Sequence, residues 1–140
     1  MKVTDDVYAA GDIVQFPLPL AGKSVSIGHW QIAHNHGRVA GRNMVGKEES
    51  FNSIPYFWTS LFGKNLRYCG FAMEWDDIIF NGSPEELKFS AFFVKGDKVL
   101  AVASLGMDPV VSVSAELMYE GKMPTATQIR SNPDPKSHVQ

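Results

Sequence analysis

Two textures of apolar and polar positions divide the chain. Residues 3–10, "VTDDVYAA", read as a short strand whose buried end is Tyr8-Ala9-Ala10, cut by Gly11-Asp12. Residues 17–28 hold Pro17, Pro19, Gly22 and Gly28 among small polar residues and read as a loop. From His29 to Val45 the spacing turns helical, with Trp30, Ala33, Gly37, Ala40 and Met44 three and four residues apart. Gly37 and Gly41 give that helix a smooth stripe where a neighbouring backbone or a flat ligand can come close, although each glycine costs about 1 kcal/mol of helix propensity. Gly46 is placed to end it as the residue after the cap.

Beyond the polar stretch "KEESFNS" the pattern becomes strand-like. "NLRYCGFA" is a first strand of this half, and "DDIIFNG" a second, stopping at the Asn81-Gly82 turn signal. "LKFSAFFV" and "KVLAVASLG", joined by Lys95-Gly96-Asp97, predict a hairpin. Asp108 followed by Pro109 predicts a helix N-cap with proline at the first helical position. That helix would turn Val110, Val113, Leu117 and Met118 inward and end at Gly121. The final stretch "TATQIRSNPDPKSHVQ" is polar and proline-punctuated, which predicts a loose tail. The sum is an α+β chain without internal repeats.

Composition narrows the class. At 140 residues, 44% hydrophobic and 20% charged, the chain has one ordinary core's worth of apolar material. A net charge of −2 with a pI near 6.0 argues against nucleic acid as a partner. No apolar run approaches the roughly 20 residues that span a bilayer, and the N-terminus lacks the pattern of a secretory signal. One cysteine, Cys69, allows no internal disulfide, which fits an intracellular setting.

Few residues are placed for chemistry. Asp12, where a strand emerges, is either a turn residue or a carboxylate accepting hydrogen bonds from a ligand's hydroxyls. His29, His34 and His36 invite a metal reading, but a helix points His34 and His36 to different sides and separates His29 from His36 by about 10 Å of rise. That excludes a shared ion with bonds near 2 Å. The cluster Tyr56, Phe57, Trp58 and Phe62 is either core or a flat surface against a planar ligand. Cys69 sits in a strand without a nearby base, the setting of an inert thiol. No GxGxxG, Walker A, CxxC or GxSxG string occurs, so the chain itself has no glycine-rich cradle for a pyrophosphate.

Three separated strings carry a family resemblance. "VYAAGDIVQFPL" resembles the second FAD-binding motif of class I pyridine-nucleotide-dependent flavoprotein reductases. "HWQIAHNHGRVAGRNM" is similar to the helix that follows the flavin in that family, and "IPYFWTSLFGKNLRYCG" to the opening of its C-terminal domain. Within the family, the likeness is strongest to the apoptosis-inducing factor 3-like subgroup, with a ferredoxin-reductase-type C-terminal domain. The resemblance spans residues 3–121 and divides the chain in a definite way. Residues 1–46 would be the terminal strand and helix of an FAD-binding α/β domain, and 47–51 a linker. Residues 52–121 would be a reductase C-terminal domain with an antiparallel sheet and a packed helix, and 122–140 a flexible tail.

The resemblance implies a C-terminal piece of a larger flavoenzyme. FAD binding would need upstream domains, and NAD(P)H would be the substrate of the full-length protein. Electrons would pass through FAD to an iron–sulfur or other acceptor. Gly11, Asp12, His29, Trp30 and Trp58 would border the flavin, with Asp12 on its ribityl chain and the helix start near His29-Trp30 aimed at its N1–C2 oxygen edge. No residue would act as a catalytic acid or base, no metal ligand is implied, and the isolated chain would be inactive. Many relatives follow the tryptophan with Ser-Asp, whereas Thr59-Ser60 stands here, so the acidic residue has no counterpart. The alternative is a non-catalytic interaction or homodimerisation module, with an apoptosis-related role as in apoptosis-inducing factors. Either reading places the protein inside the cell, in cytoplasm or mitochondrion.

Overall fold

Phe16, Pro17 and Leu18 alternate buried, exposed, buried, the two-residue period of a strand with one face inward. The computed structural model, which describes residues 1–139, pairs this strand with a second across a 3-10 turn at Pro19–Ala21. The chain separates into two compact units, Met1–Ser53 and Ile54 onward.

In the first unit, β1 (Lys2–Thr4) and β2 (Val7–Tyr8) form one antiparallel pair, and β3 (Phe16–Leu18) and β4 (Lys23–Val25) another. The single strand expected over 3–10 is therefore two, broken at Asp5-Asp6, and Ala10 is exposed rather than buried. Two consecutive aspartates are turn formers, and Lys2 clamps this turn through Asp5 at 2.9 Å. The expected loop over 17–28 holds β4, and β3 runs into its start. Pro17 is tolerated because a two-stranded sheet has only edges.

The helix α1 (Trp30–Met44) forms as the spacing predicts. His29 caps it in extended conformation, its Nδ1 accepting from Gln31 N at 3.2 Å. Gly46, at φ +76°, ends it, with Gly46 N donating to Asn43 O and Lys47 N to Arg42 O. Its buried residues are Ile32, His36, Val39 and Ala40, while Trp30, Gly37 and Met44 face solvent. The inward stripe is therefore rotated from the expected one, because a histidine occupies a core position. The His36 imidazole is fully buried and meets the rings of Phe16 and Phe51 edge-on, each at 4.6 Å. The segment expected as a linker is pinned to α1. Glu49 pairs with Arg38 at 2.9 Å and Arg42 at 2.6 Å, and its backbone exchanges two hydrogen bonds with the Asn43 amide.

The second unit is a five-stranded antiparallel sheet of β5 (Tyr56–Leu61), β6 (Lys64–Gly70), β7 (Asp77–Ser83), β8 (Lys88–Lys95) and β9 (Lys98–Leu105). Its order is β5-β6-β9-β8-β7, with the expected β8–β9 hairpin at its heart. Cys69, Val102 and Phe92 lie side by side in register and are fully buried. The helix α2 (Val110–Tyr119) packs on β6 and β9. Tyr56, opposite Cys69, reaches Ser112 of α2 at 3.1 Å, which identifies this as the helix-covered face.

Four local expectations differ. The aromatic segment at 56–61 is a strand, β5, not assigned from the pattern. Asn81 and Gly82 lie inside β7, opposite Ser90 and Phe89, and the chain reverses beyond them near Pro84–Leu87. Asp108 makes no cap bond; α2 starts from Pro109, buries Val111, Ser114, Leu117 and Met118, and ends through Gly121 at φ +69°. The polar C-terminal stretch is not a loose tail. It folds into α3 (Ala126–Ser131), started by a reciprocal Thr125–Gln128 capping box, and a 3-10 turn at Pro135–His138. Ala126 and Ile129, three residues apart, are buried, and Asp97 accepts from Ala126 N and Thr127 N.

Candidate functional site

The start of α1 gathers four of the residues singled out above. Gly11 has φ +87°, a conformation that side chains other than glycine's disfavour. Its carbonyl accepts from Val14 N at 3.0 Å, closing a turn that carries Asp12 outward. Asp12 is exposed, and its carboxylate flanks Gly28, where a Cβ would stand 3.5 Å from Oδ2. Gly28 precedes the cap residue His29, so the carboxylate lies beside the positive end of the helix dipole. Trp30, the first helical residue, is 62% exposed, with its ring 5.8 Å from that of His29. Gln31 adds a signal that sequence reasoning missed: its Oε1 is buried without a hydrogen-bond partner among the described residues.

This arrangement offers an exposed carboxylate, the amides of a helix N-terminus and an exposed indole. It suits a ligand with hydroxyl donors and an electron-rich edge. An open cleft of about 590 Å³ in the same unit, lined by Lys2, Tyr8, Asn43 and Glu49 among others, includes none of Gly11, Asp12, His29 and Trp30. The described residues hold no group of three or more His, Cys, Asp or Glu side chains placed for a metal ion.

Trp58, the fifth residue, lies on the edge strand β5 of the second unit and is 47% exposed. Tyr56, two residues earlier on the same face, has its ring 6.2 Å away, and Arg67 stands directly opposite on β6. Thr59, Ser60, Leu61 and Phe62 beyond it are exposed, so no carboxylate follows the indole along this strand.

Two further groups are buried. Burial lowers the His36 pKa, against a weaker raising effect of the Gly11 backbone, and neither ring nitrogen has a hydrogen-bond partner among the described residues. Burial pushes the Cys69 thiol up to about 12, so it is a poor nucleophile. No helix among the described residues is long and apolar enough to cross a membrane.

Residues 56–138 match the family described as Reductase C-terminal. The chain is 51% identical over 117 residues to apoptosis-inducing factor 3 of Homo sapiens, covering 83% of this chain and 19% of that protein. It is 27% identical over 124 residues to the anthranilate 1,2-dioxygenase system ferredoxin–NAD(+) reductase component of Burkholderia cepacia, covering 88% of this chain and 30% of that one. The crystal structure of the covalent putidaredoxin reductase–putidaredoxin complex superposes with a TM-score of 0.77 at 26% identity, over 86% of this chain and 28% of that one. The chain thus spans less than a third of each of these relatives.

Proposed function

Since this chain belongs to the Reductase C-terminal family, we propose that it closes the flavin pocket of a longer oxidoreductase that uses FAD and NAD(P)H. The observation that carries the proposal is the convergence of Gly11, Asp12, Gly28 and the start of α1. FAD, when bound, would supply the redox chemistry between NAD(P)H and an iron–sulfur or other acceptor.

The chain's own residues bind, orient and exclude water. Asp12 accepts hydrogen bonds from ribityl hydroxyls, each charge-assisted bond contributing about 1.5–3 kcal/mol. The turn at Gly11 lets the backbone come close without a side chain in the way. The first amides of α1, near His29 and Trp30, favour negative charge on the ring's N1–C2 oxygen edge by about 0.3–1 kcal/mol each in exposed settings. The family resemblance would also put Trp58 against the flavin ring. No side chain here transfers a proton.

The exposed turn between β5 and β6 favours a second reading, a docking or dimerisation module. Phe62 is 94% exposed and Leu61 66%. A chimera separates the two: apoptosis-inducing factor 3 with its matching 117 residues exchanged for those of this chain. Trp75 is as exposed as Trp58 and packs on Phe93 at 5.3 Å, which makes it the matched control. Trp58→Ala is expected to change flavin fluorescence and the NAD(P)H reduction rate, while Trp75→Ala leaves both unchanged at similar stability. Equal effects of the two substitutions would return Trp58 to a purely structural or docking role.

A further inference from the structure

Gly11 lies against α1: a Cβ there would stand 3.6 Å from Ala33 Cβ. Ala33 and His36 are three residues apart on the helix, so they share a face, one turn from each other. The His36 ring is fully buried and boxed by Phe16 and Phe51, each 4.6 Å away and themselves 4.9 Å apart. Neither ring nitrogen closes a hydrogen bond among the described residues. The Gly11 carbonyl uses one lone pair on Val14 N at 3.0 Å, and a carbonyl oxygen has two. Burial disfavours the imidazolium most; the Gly11 backbone favours it, and the Met1 amino group opposes it more weakly than either acts.

The other elements around the ring offer no rival acceptor. β3 and Phe51 bring apolar side chains. α1 brings Arg38 and Arg42, exposed and paired with Glu49, and the exposed His34. His29 stands at its cap, and Asp12 is exposed at the turn. Among the described residues no carboxylate acts on the ring.

We propose that His36 is a positioning residue for the Gly11–Asp12 turn: on taking up a proton from solvent the ring donates an N–H to the second lone pair of the Gly11 carbonyl, and the turn that carries Asp12 shifts with it. A buried cationic donor without an acceptor is costly, which draws ring and carbonyl together. That the shift alters ligand binding rests on the reading of Asp12 as an acceptor for ribityl hydroxyls. The coupling of ring to turn does not, and it is measurable on the chain alone.

The measurement is an NMR titration of the isotope-labelled 140-residue chain from neutral pH downward, following the His36 ring, the Gly11 carbonyl carbon and the Asp12 amide. All three are expected to move by more than a line width with one shared inflection, below the ordinary imidazole range because burial keeps the ring neutral. The Gly46 carbonyl, at the far end of α1, is expected to stay in place. His36→Leu, which fills the box without a donor, is expected to hold the Gly11 carbonyl still across that inflection. His36→Gln carries a neutral donor and is expected to keep the Gly11 carbonyl near its low-pH position at every pH. A Gly11 carbonyl that stays within its width while the ring titrates overturns the proposal, as does a movement that survives unchanged in either variant. So does a common movement of the Gly11 and Gly46 carbonyls, or a chain that unfolds before the ring takes up its proton. Flavin retained undiminished after Asp12→Ala in the chimera, with this titration intact, would remove the ligand reading and leave the coupling; a motionless carbonyl with flavin lost in that variant would do the opposite.

Discussion

In the first unit Asp12 is exposed and His36 is sealed from water. Asp12 stands in water beside a helix start, so removing its carboxylate disturbs no packing. His36 is closed in by Phe16 and Phe51 with both nitrogens unpaired. Because burial lowers its folded-state pKa, the unfolded chain takes up a proton near pH 6.5 that the folded chain refuses. Stability is therefore full above about pH 6.5 and falls as the pH drops below it, by at most about 1.4 kcal/mol per pH unit, until the folded imidazole also protonates. Urea melts between pH 7.5 and 5.5 should show this decline in the wild type and a flatter profile in His36→Leu. Equal slopes would mean that His36 takes no part. Sequence reasoning placed Asp12 and Gly11 at a turn where they belong. The helical spacing leaves His36 off the inward stripe, because a histidine counts as polar and nothing in the residue type reveals that Phe16 and Phe51 enclose it.

At the scale of the element, glycines decide where strands bend. Gly70, at φ +93°, ends β6, and a Cβ there would lie 2.4 Å from Leu100 O and 2.8 Å from Ala101 Cα. Both obstacles are backbone and cannot swing aside. Gly46, at φ +76°, has nothing within 4 Å of the same position. Gly46→Ala should cost only the conformational penalty, about 1–2 kcal/mol. Gly70→Ala adds an overpacking cost and should lose about 2–5 kcal/mol by denaturant melts. Similar losses at the two sites would show that the close approach at Gly70 relaxes freely. The same feature explains a misreading. Asn81-Gly82 has the composition of a hairpin turn, yet Gly82 uses its positive φ inside β7, where a Cβ would meet Lys88 O at 2.4 Å. β5 was missed for a different reason: from Trp58 to Leu61 both faces are exposed, so no alternation marks it. α3 is short and mostly polar; only its capping box and the pair Ala126/Ile129 betray it. The long, strongly patterned pieces, α1 and the β8–β9 hairpin, were legible because one face of each is buried by many residues in period.

The whole molecule is two units of unequal self-sufficiency. The second has a five-stranded sheet with a sealed layer of Cys69, Phe92 and Val102 under α2. The first has one helix and two two-stranded sheets in 53 residues, and such pairs are marginal in water without further packing. That is the physical counterpart of a segment that belongs to a larger flavin-binding domain in the proposal. Family membership was legible from three short strings in the right order. The orphaned Gln31 Oε1 left no trace in the pattern, since burial of one atom depends on packing alone. The account predicts that the isolated chain holds no FAD, for it has no glycine-rich turn at a helix N-terminus to receive the pyrophosphate.

The most direct test is the flavin-to-protein ratio of the apoptosis-inducing factor 3 chimera after gel filtration, read from its visible absorption. The chimera should keep FAD at one equivalent, and its Asp12→Ala variant should bind FAD about 10- to 150-fold more weakly, the equivalent of one charge-assisted hydrogen bond. A folded chimera that emerges colourless, or an Asp12→Ala variant that retains flavin as tightly as its parent, would contradict the claim that this chain completes a flavin site through the turn at Gly11-Asp12.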